Sequence, residues 1–223
     1  MIKKYVIACS KRWFIDHQIR FVSLKKFVLI TEKKKLNLKN LKKINPKYIF
    51  FPHWSFILKQ EIYKNYYCIG FHSSDLPNGR GGSPIQNQIL KGKKNTKITS
   101  IKYNQLLDSG DWIYKTKLNL SGDLDDIFKR SSKIIKNQIN MIIKNKFKLK
   151  KQKGKIYKFK RLKISNSEIK KNESKLINIY DKIRMLDSEE YPRAYFKLGK
   201  IRIELSEAKY LKNKILCKAI LKK

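Results

Sequence analysis

The chain has 223 residues, 41% of them hydrophobic and 12% aromatic, and a formal net charge of +37. That length can bury a sizeable core, and this much Ile, Leu, Phe and Tyr excludes a disordered chain despite the charge. No apolar run approaches the ~20 residues of a membrane span, and Lys11 and Arg12 end the short apolar stretch near the N-terminus before it could serve as a signal peptide. A cytoplasmic protein without membrane insertion is expected.

The charge comes from 46 Lys and only 8 Arg, spread almost evenly along the chain. Phosphate-reading proteins favour Arg for its bidentate fork, so the excess reads first as a solvated Lys-rich surface and second as a nucleic-acid footprint. Cys9, Cys68 and Cys217 are widely separated in apolar surroundings. They read as reduced core residues with neither disulfide nor zinc spacing, and no metal is expected.

In chain order, Tyr5–Ser10, Phe27–Thr31 and Tyr48–Trp54 read as short buried strands. A helical stretch around Phe56–Tyr63 leads to a fourth, Tyr67–His72. Such alternation predicts an α/β layer architecture with a mainly parallel sheet, whose working residues gather at the carboxyl ends of strands. Residues 73–84 read as a loop, Ile85–Leu90 as the start of a helix, and Lys97–Tyr103 and Trp112–Leu120 as strands flanking the turn Asp108–Asp111. A long helix follows Ser121-Gly122-Asp123 and keeps its apolar spacing to about Asn145. The charge run from Lys146 to Lys160 marks a boundary, giving a catalytic domain over 1–147 and a small C-terminal α+β subdomain over 148–223. The latter should hold a strand leading to Ile164, a helix from about Asn172 to Met185, and strands at Arg193–Phe196, Ile201–Ser206 and Ile215–Leu221.

The segment Gly70-Phe71-His72-Ser73-Ser74-Asp75-Leu76-Pro77-Asn78-Gly79-Arg80-Gly81-Gly82-Ser83-Pro84 carries the chemistry. A histidine leaves a buried strand into a loop held by two prolines, with glycines that permit close backbone approach. Alone, His72 would read first as a structural histidine serving loop backbone groups. The loop lacks the glycine patterns of nucleotide-binding motifs.

The segment resembles the signature of the folate-dependent formyltransferases, Asn-x-His-x-Ser-Leu-Leu-Pro followed by Arg-Gly and a later Pro. His72, Ser74, Leu76, Pro77, Arg80, Gly81 and Pro84 fall in register, and Asp75 replaces the first Leu. The family's Leu-Asp-x-Gly turn is matched by Leu107-Asp108-Ser109-Gly110, with Asp108 thirty-six residues after His72. By itself Asp108 would read as a turn carboxylate capping backbone N–H groups, and only its spacing from His72 reverses that. The overlap runs from about Tyr48 to Phe128. The resemblance implies a Rossmann-like formyltransferase core, 10-formyltetrahydrofolate as co-substrate, and direct attack by an amine on the formyl carbon. His72 would handle the amine proton or polarise the oxyanion, and Asp108 would orient and charge-stabilise the imidazole.

One departure stands out. The family's first signature position is Asn, whose side chain helps hold the formyl oxygen, and here it is Gly70. Losing such a donor costs roughly 2.7–4 kcal/mol in a barrier. His53, Asn78 or backbone N–H groups of Gly81 and Gly82 could substitute; alternatively the site is rearranged, or impaired. By resemblance the folate site takes Asn104, Leu106, Leu107, Asp108 and Asp111, with Pro52 and Trp54 as a wall, although Trp54 could equally be core. Trp112 reads as core. His53, Ser74, Asn78, Arg80, Gly81 and Gly82 would line the loop or the acceptor side.

For the acceptor, the short chain, the Gly-Arg-Gly-Gly-Ser-Pro loop and the segment Ile179–Asp187 with Tyr191-Pro192-Arg193-Ala194 are similar to sugar N-formyltransferases of surface amino-sugar pathways, including the pseudaminic acid type. A nucleotide-linked amino sugar is the expected partner beside the folate. Methionyl-tRNA formylation is the alternative, with the charge as its argument, and a nucleic-acid-binding protein on a non-catalytic formyltransferase scaffold is the alternative of another class.

Overall fold

The computed structural model describes residues 4–223. The chain runs β1 Tyr5–Cys9, α1 Arg12–His17, α2 Ile19–Val22, β2 Phe27–Ile30, a 3-10 turn at Lys33–Lys35, α3 Leu38–Ile44, β3 Ile49–His53, α4 Gln60–Asn65 and β4 Cys68–His72. It continues with β5 Asn78–Gly81, α5 Pro84–Ile89, β6 Asn95–Lys102, β7 Trp112–Asn119, α6 Leu124–Lys144 and β8 Tyr157–Phe159. After a 3-10 turn at Ile164–Ser167 come α7 Leu176–Arg184, β9 Ala194–Leu198, β10 Ile201–Leu211 and β11 Lys214–Lys222.

Six strands form the central sheet in the order β2-β1-β3-β4-β6-β7. The first four pair in parallel, and β4–β6 and β6–β7 are antiparallel. Side chains alternate across a pleated strand, so β1 sends Tyr5, Ile7 and Cys9 into one hydrophobic cluster and Val6 and Ala8 into the other. The first cluster is closed by Trp13 and Phe14 of α1 and by Ile127, Phe128, Ile135, Ile139 and Ile142 along one face of α6. The second is closed by Leu41 of α3 and Ile62 of α4. The result is an α/β three-layer core, as the strand pattern predicts.

The long helix starts where Asp123 caps it, its carboxylate accepting from Asp126 N at 2.8 Å, with Asp125 and Asp126 in the first turn opposite the helix dipole. Its buried Gln138 donates to Ile98 O at 3.0 Å and Thr116 Oγ1 at 2.9 Å, fixing the helix over the two antiparallel strands.

Several elements differ from the sequence reading. The helix expected around Phe56–Tyr63 is α4, which begins at Gln60 and leaves Phe56 and Ile57 exposed. Helices α1, α2 and α3 have four to seven residues each and are too short and too basic for a periodic signal. The loop expected over 73–84 contains strand β5, paired in parallel with β8 from the basic segment that follows α6. That same segment bridges the edge of β7, where Trp112 and Lys150 exchange backbone hydrogen bonds of 2.8 and 2.9 Å. Trp112 is therefore a half-buried edge residue beneath Lys115 and Lys150 rather than core. Cys9 and Cys68 are buried, but Cys217 lies exposed on β11, whose residues are almost all solvent-facing.

Strands β9, β10 and β11 form an antiparallel sheet against α7. Its inner residues Ile183, Met185, Leu186, Ala194, Ile203 and Leu205 join the same cluster as α1 and α6, so the C-terminal part packs on a continuous core. Arg184 fastens the junction. Its Nη1 donates to Leu120 O at 2.6 Å and Gly122 O at 2.9 Å, and its Nε donates to Asp181 at 2.7 Å, with both side chains largely buried. Removing the cation strands a mostly buried carboxylate and two carbonyls. Arg184→Met should therefore cost about 3 kcal/mol of stability, read as a lower urea midpoint of unfolding.

Candidate active site

His72 ends β4 at the carboxyl edge of the parallel strands, the position such sheets reserve for chemistry. Only 9% of its surface is exposed. Its Nε2 lies 2.7 Å from Gly79 O. A carbonyl can only accept, so Nε2 carries the hydrogen and donates it. That leaves Nδ1 facing Asp108 Oδ2 at 3.5 Å. A proton arriving at Nδ1 would have a carboxylate waiting for it, which is the arrangement a proton-handling pair requires.

Asp108 is held at two points in an unusual backbone conformation. Its Oδ2 accepts from Gly81 N at 2.9 Å, its backbone carbonyl accepts from Gln152 Nε2 at 2.9 Å, and its own φ is +50°, in the left-handed region that non-glycine residues rarely adopt. The same Gln152 amide donates to Gly110 O at 2.9 Å, while its Oε1 accepts from Arg80 Nε and Nη2 at 3.1 and 2.7 Å. Gly110 must be glycine, because a Cβ there would lie 1.6 Å from Lys102 O. Around His72, Ser74 Oγ donates to Gly79 O at 3.0 Å, and Thr99 Oγ1 donates to Ser74 O at 2.6 Å. The Leu76–Pro77 peptide is cis.

The geometry brings together His72, Asp108, Ser74, Arg80 and Gly81 and places the other candidate residues elsewhere. The glycines of the loop meet protein: a Cβ at Gly79 or Gly81 would strike Phe159, and one at Gly82 would strike Arg161. The Gly81 N–H is spent on Asp108, so it is not the spare donor expected there. Pro52 is buried within β3, and Trp54 packs edge-on against Phe51 and Phe56, so neither presents an open wall. His53 turns to Trp13, whose Nε1 donates to His53 Nδ1 at 3.3 Å. Asn78 is exposed at the start of β5.

On the other flank, Asn104 Oδ1 accepts from Leu106 N at 3.1 Å and Ser109 Oγ at 2.8 Å, ordering the turn that precedes Asp108. Leu106 and Leu107 stand 69% and 72% exposed on that turn, and Asp111 O accepts from Lys102 N at 2.9 Å at its base. Two exposed leucines on an ordered turn beside a buried His–Asp pair fit a flat heterocycle laid against them. Asp75, the departure from the signature, points away from His72 to Lys115 at 2.7 Å and Lys97 at 2.8 Å. Partial burial opposes its ionisation, but those two lysines prevail and hold its carboxyl below the ordinary value.

Sequence reasoning missed Gln152, Phe159 and Tyr103. Gln152 is a lone amide inside a lysine run, and nothing local says what it will bind. Among the described residues, no helix is long and apolar enough to cross a membrane, and no group of three or more His, Cys, Asp or Glu could hold a metal ion.

The family model described as formyl transferase matches residues 14–144, and the chain belongs to that family. A second model, described as methionyl-tRNA formyltransferase, C-terminal domain, matches residues 164–222. A solved methionyl-tRNA formyltransferase from Clostridium thermocellum is 42% identical, superposes with a TM-score of 0.93, and is matched over 98% of each chain. Among curated relatives, a methionyl-tRNA formyltransferase from Caldicellulosiruptor saccharolyticus is 38% identical over 96 residues; these are 42% of this chain, which spans 30% of the relative's length. A sugar N-formyltransferase from a Shewanella species aligns over 95% of this chain and 99% of its own with a TM-score of 0.72 at 14% identity, a likeness of fold.

The His53–Trp13 pair has a consequence for stability. Burial, then the charges of Lys11 and Arg161, push His53 down to about 4, and protonating Nδ1 would break the Trp13 bond. A folded value below the unfolded one of about 6.5 means the unfolded chain binds the extra proton. Stability is then complete above pH 6.5 and falls as pH drops from about 6.5 toward 4, by about 3 kcal/mol at most. His53→Gln should flatten the dependence of the urea midpoint on pH across that window.

Proposed function

We propose that this chain transfers a formyl group from 10-formyltetrahydrofolate to the amino group of methionyl-tRNA. The observation that carries the acceptor is the match of residues 164–222 to the C-terminal domain of methionyl-tRNA formyltransferase, reinforced by the solved relative matched over the whole chain. The sugar acceptor expected from sequence rests on chain length, the Gly-Arg-Gly-Gly-Ser-Pro loop and a short C-terminal likeness, and the solved sugar enzyme supports only the fold.

The charge also points to a large polyanion. Residues 146–163 contain ten Lys or Arg and no Asp or Glu, and all ten cations are exposed. This stretch is the one that bridges β7 and pairs with β5, so its charge lies beside the signature loop. A basic strap flanking a catalytic edge suits an RNA end better than a dispersed lysine excess would.

In the proposed reaction the amine nitrogen bonds to the formyl carbon, the bond from that carbon to the folate nitrogen breaks, and the proton shed by the amine ends on the folate nitrogen. His72 exchanges its bond to Gly79 O for one to the reacting groups and carries the proton at a ring nitrogen, with Asp108 Oδ2 holding the imidazole. Leu106, Leu107 and the turn from Asn104 to Asp111 hold the pterin. Arg80 and Gln152 keep Asp108 in place and do not touch the reacting atoms.

Incubation with labelled formyl donor and either methionyl-tRNA or a nucleotide-linked amino sugar should label the tRNA, with apparent affinity for tRNA falling steeply as salt rises. Label confined to the sugar would overturn the acceptor. His72→Ala should lower turnover by at least about 10²-fold with the fold intact; unchanged turnover would sink the site.

A further inference from the structure

The volume above Gly70 is filled. Gly70 and His72 are two residues apart on β4, so they share a face and lie roughly 6.7 Å from each other. A Cβ built on Gly70 would meet the Tyr103 ring, at 2.8 Å from Cε2, 3.2 Å from Cζ and 3.4 Å from Oη. Tyr103 follows β6, where Ile101 pairs with Gly70 and the Tyr103 N–H donates to Cys68 O at 2.9 Å. Its ring is braced edge-on by Phe51, 5.1 Å between centroids, and Phe51 pairs with Gly70 from the other side. The phenol thus leans across a glycine gap onto the face of the sheet that carries His72. Tyr103 itself is half-buried.

We propose that Tyr103 is a further catalytic residue, whose hydroxyl donates a hydrogen bond to the formyl oxygen as negative charge develops there, supplying from β6 the donor that a side chain at position 70 would otherwise supply. This rests on the formyl-transfer reading above. A phenol is a suitable donor for a developing oxyanion, and bracing by Phe51 means little reorganisation when the charge appears. Burial, then the negative charge of Asp108, raises the phenol's pKa, so the hydroxyl keeps the proton it must donate. The glycine and the tyrosine fit each other, since a side chain at 70 would force the ring to shift from its place.

The test is Tyr103→Phe in the full chain, which keeps the packing on Phe51 and removes only the hydroxyl. Turnover should fall by roughly 10²–10³-fold while KM for the formyl donor and the unfolding midpoint stay at wild-type values. The paired variant Gly70→Asn with Tyr103→Ala should recover turnover roughly tenfold or more over Tyr103→Ala alone, because the amide then occupies the vacated space. Wild-type turnover in Tyr103→Phe overturns the proposal. So does a loss that tracks a lowered unfolding midpoint with no recovery in the paired variant, which would make Tyr103 a packing residue. A wild-type chain with no turnover on either acceptor instead refutes the transferase reading, and this proposal with it.

Discussion

Asp108 occupies a left-handed backbone conformation at the end of a turn that no regular element supports, and its carboxylate must nevertheless face a histidine on another strand. Such a conformation costs on the order of 1–3 kcal/mol and persists only where its surroundings over-determine it. Here the surroundings come from three separate stretches of chain. The Gly81 N–H fixes the carboxylate, Gln152 fixes the backbone on both sides through Asp108 O and Gly110 O, and the missing Cβ of Gly110 lets the turn close against Lys102 O. Arg80 then orients the Gln152 amide, so the signature loop, the basic connecting segment and the Asp108 turn are locked into one unit.

That lock gives the architecture its functional logic. The sheet changes from parallel to antiparallel at β4–β6, so β6 passes His72 at Thr99 and ends with Lys102 beside Ile69; the Asp108 turn that follows reaches back to bring its carboxylate to His72. The packing of β8 on β5 serves the same end. Phe159 and Arg161 fill the space left by Gly79, Gly81 and Gly82, so glycines that suggest a ligand cradle in the sequence are instead the floor on which the connecting segment lies.

What the sequence discloses and what it conceals follow from where the information resides. The buried strands β1, β3 and β4 are legible because each is a run of apolar residues covered on both faces, and α6 because twenty-one residues are enough to display a helical stripe. Helices α1 to α3 are invisible because a few residues cannot express a period, and α1 borrows its start from afar: Glu190 accepts from Arg12 N and Trp13 N at 2.8 and 3.1 Å across 178 and 177 positions. Strand β5 is hidden by its glycines and its partner β8 by its lysines, since neither composition favours a strand and only their pairing makes one. At the site, His72 and Asp108 could be named from their mutual spacing. Gln152 could not, because nothing in a lysine run says that its amide will span a turn forty residues earlier.

Position 70 shows most clearly why a single-position reading fails. Compared with its signature, the chain lacks a side chain there, and a deficit is the natural inference. In three dimensions the absence is the condition for something else, because the gap admits a phenol from the next strand to the same face of the sheet. A sheet allows such an exchange at low cost: residues paired across strands share a face, so a group lost from one strand can be returned from its neighbour without moving the backbone. What a site must conserve is a donor at a place. The strand that supplies it, and the residue type that carries it, are free to change together.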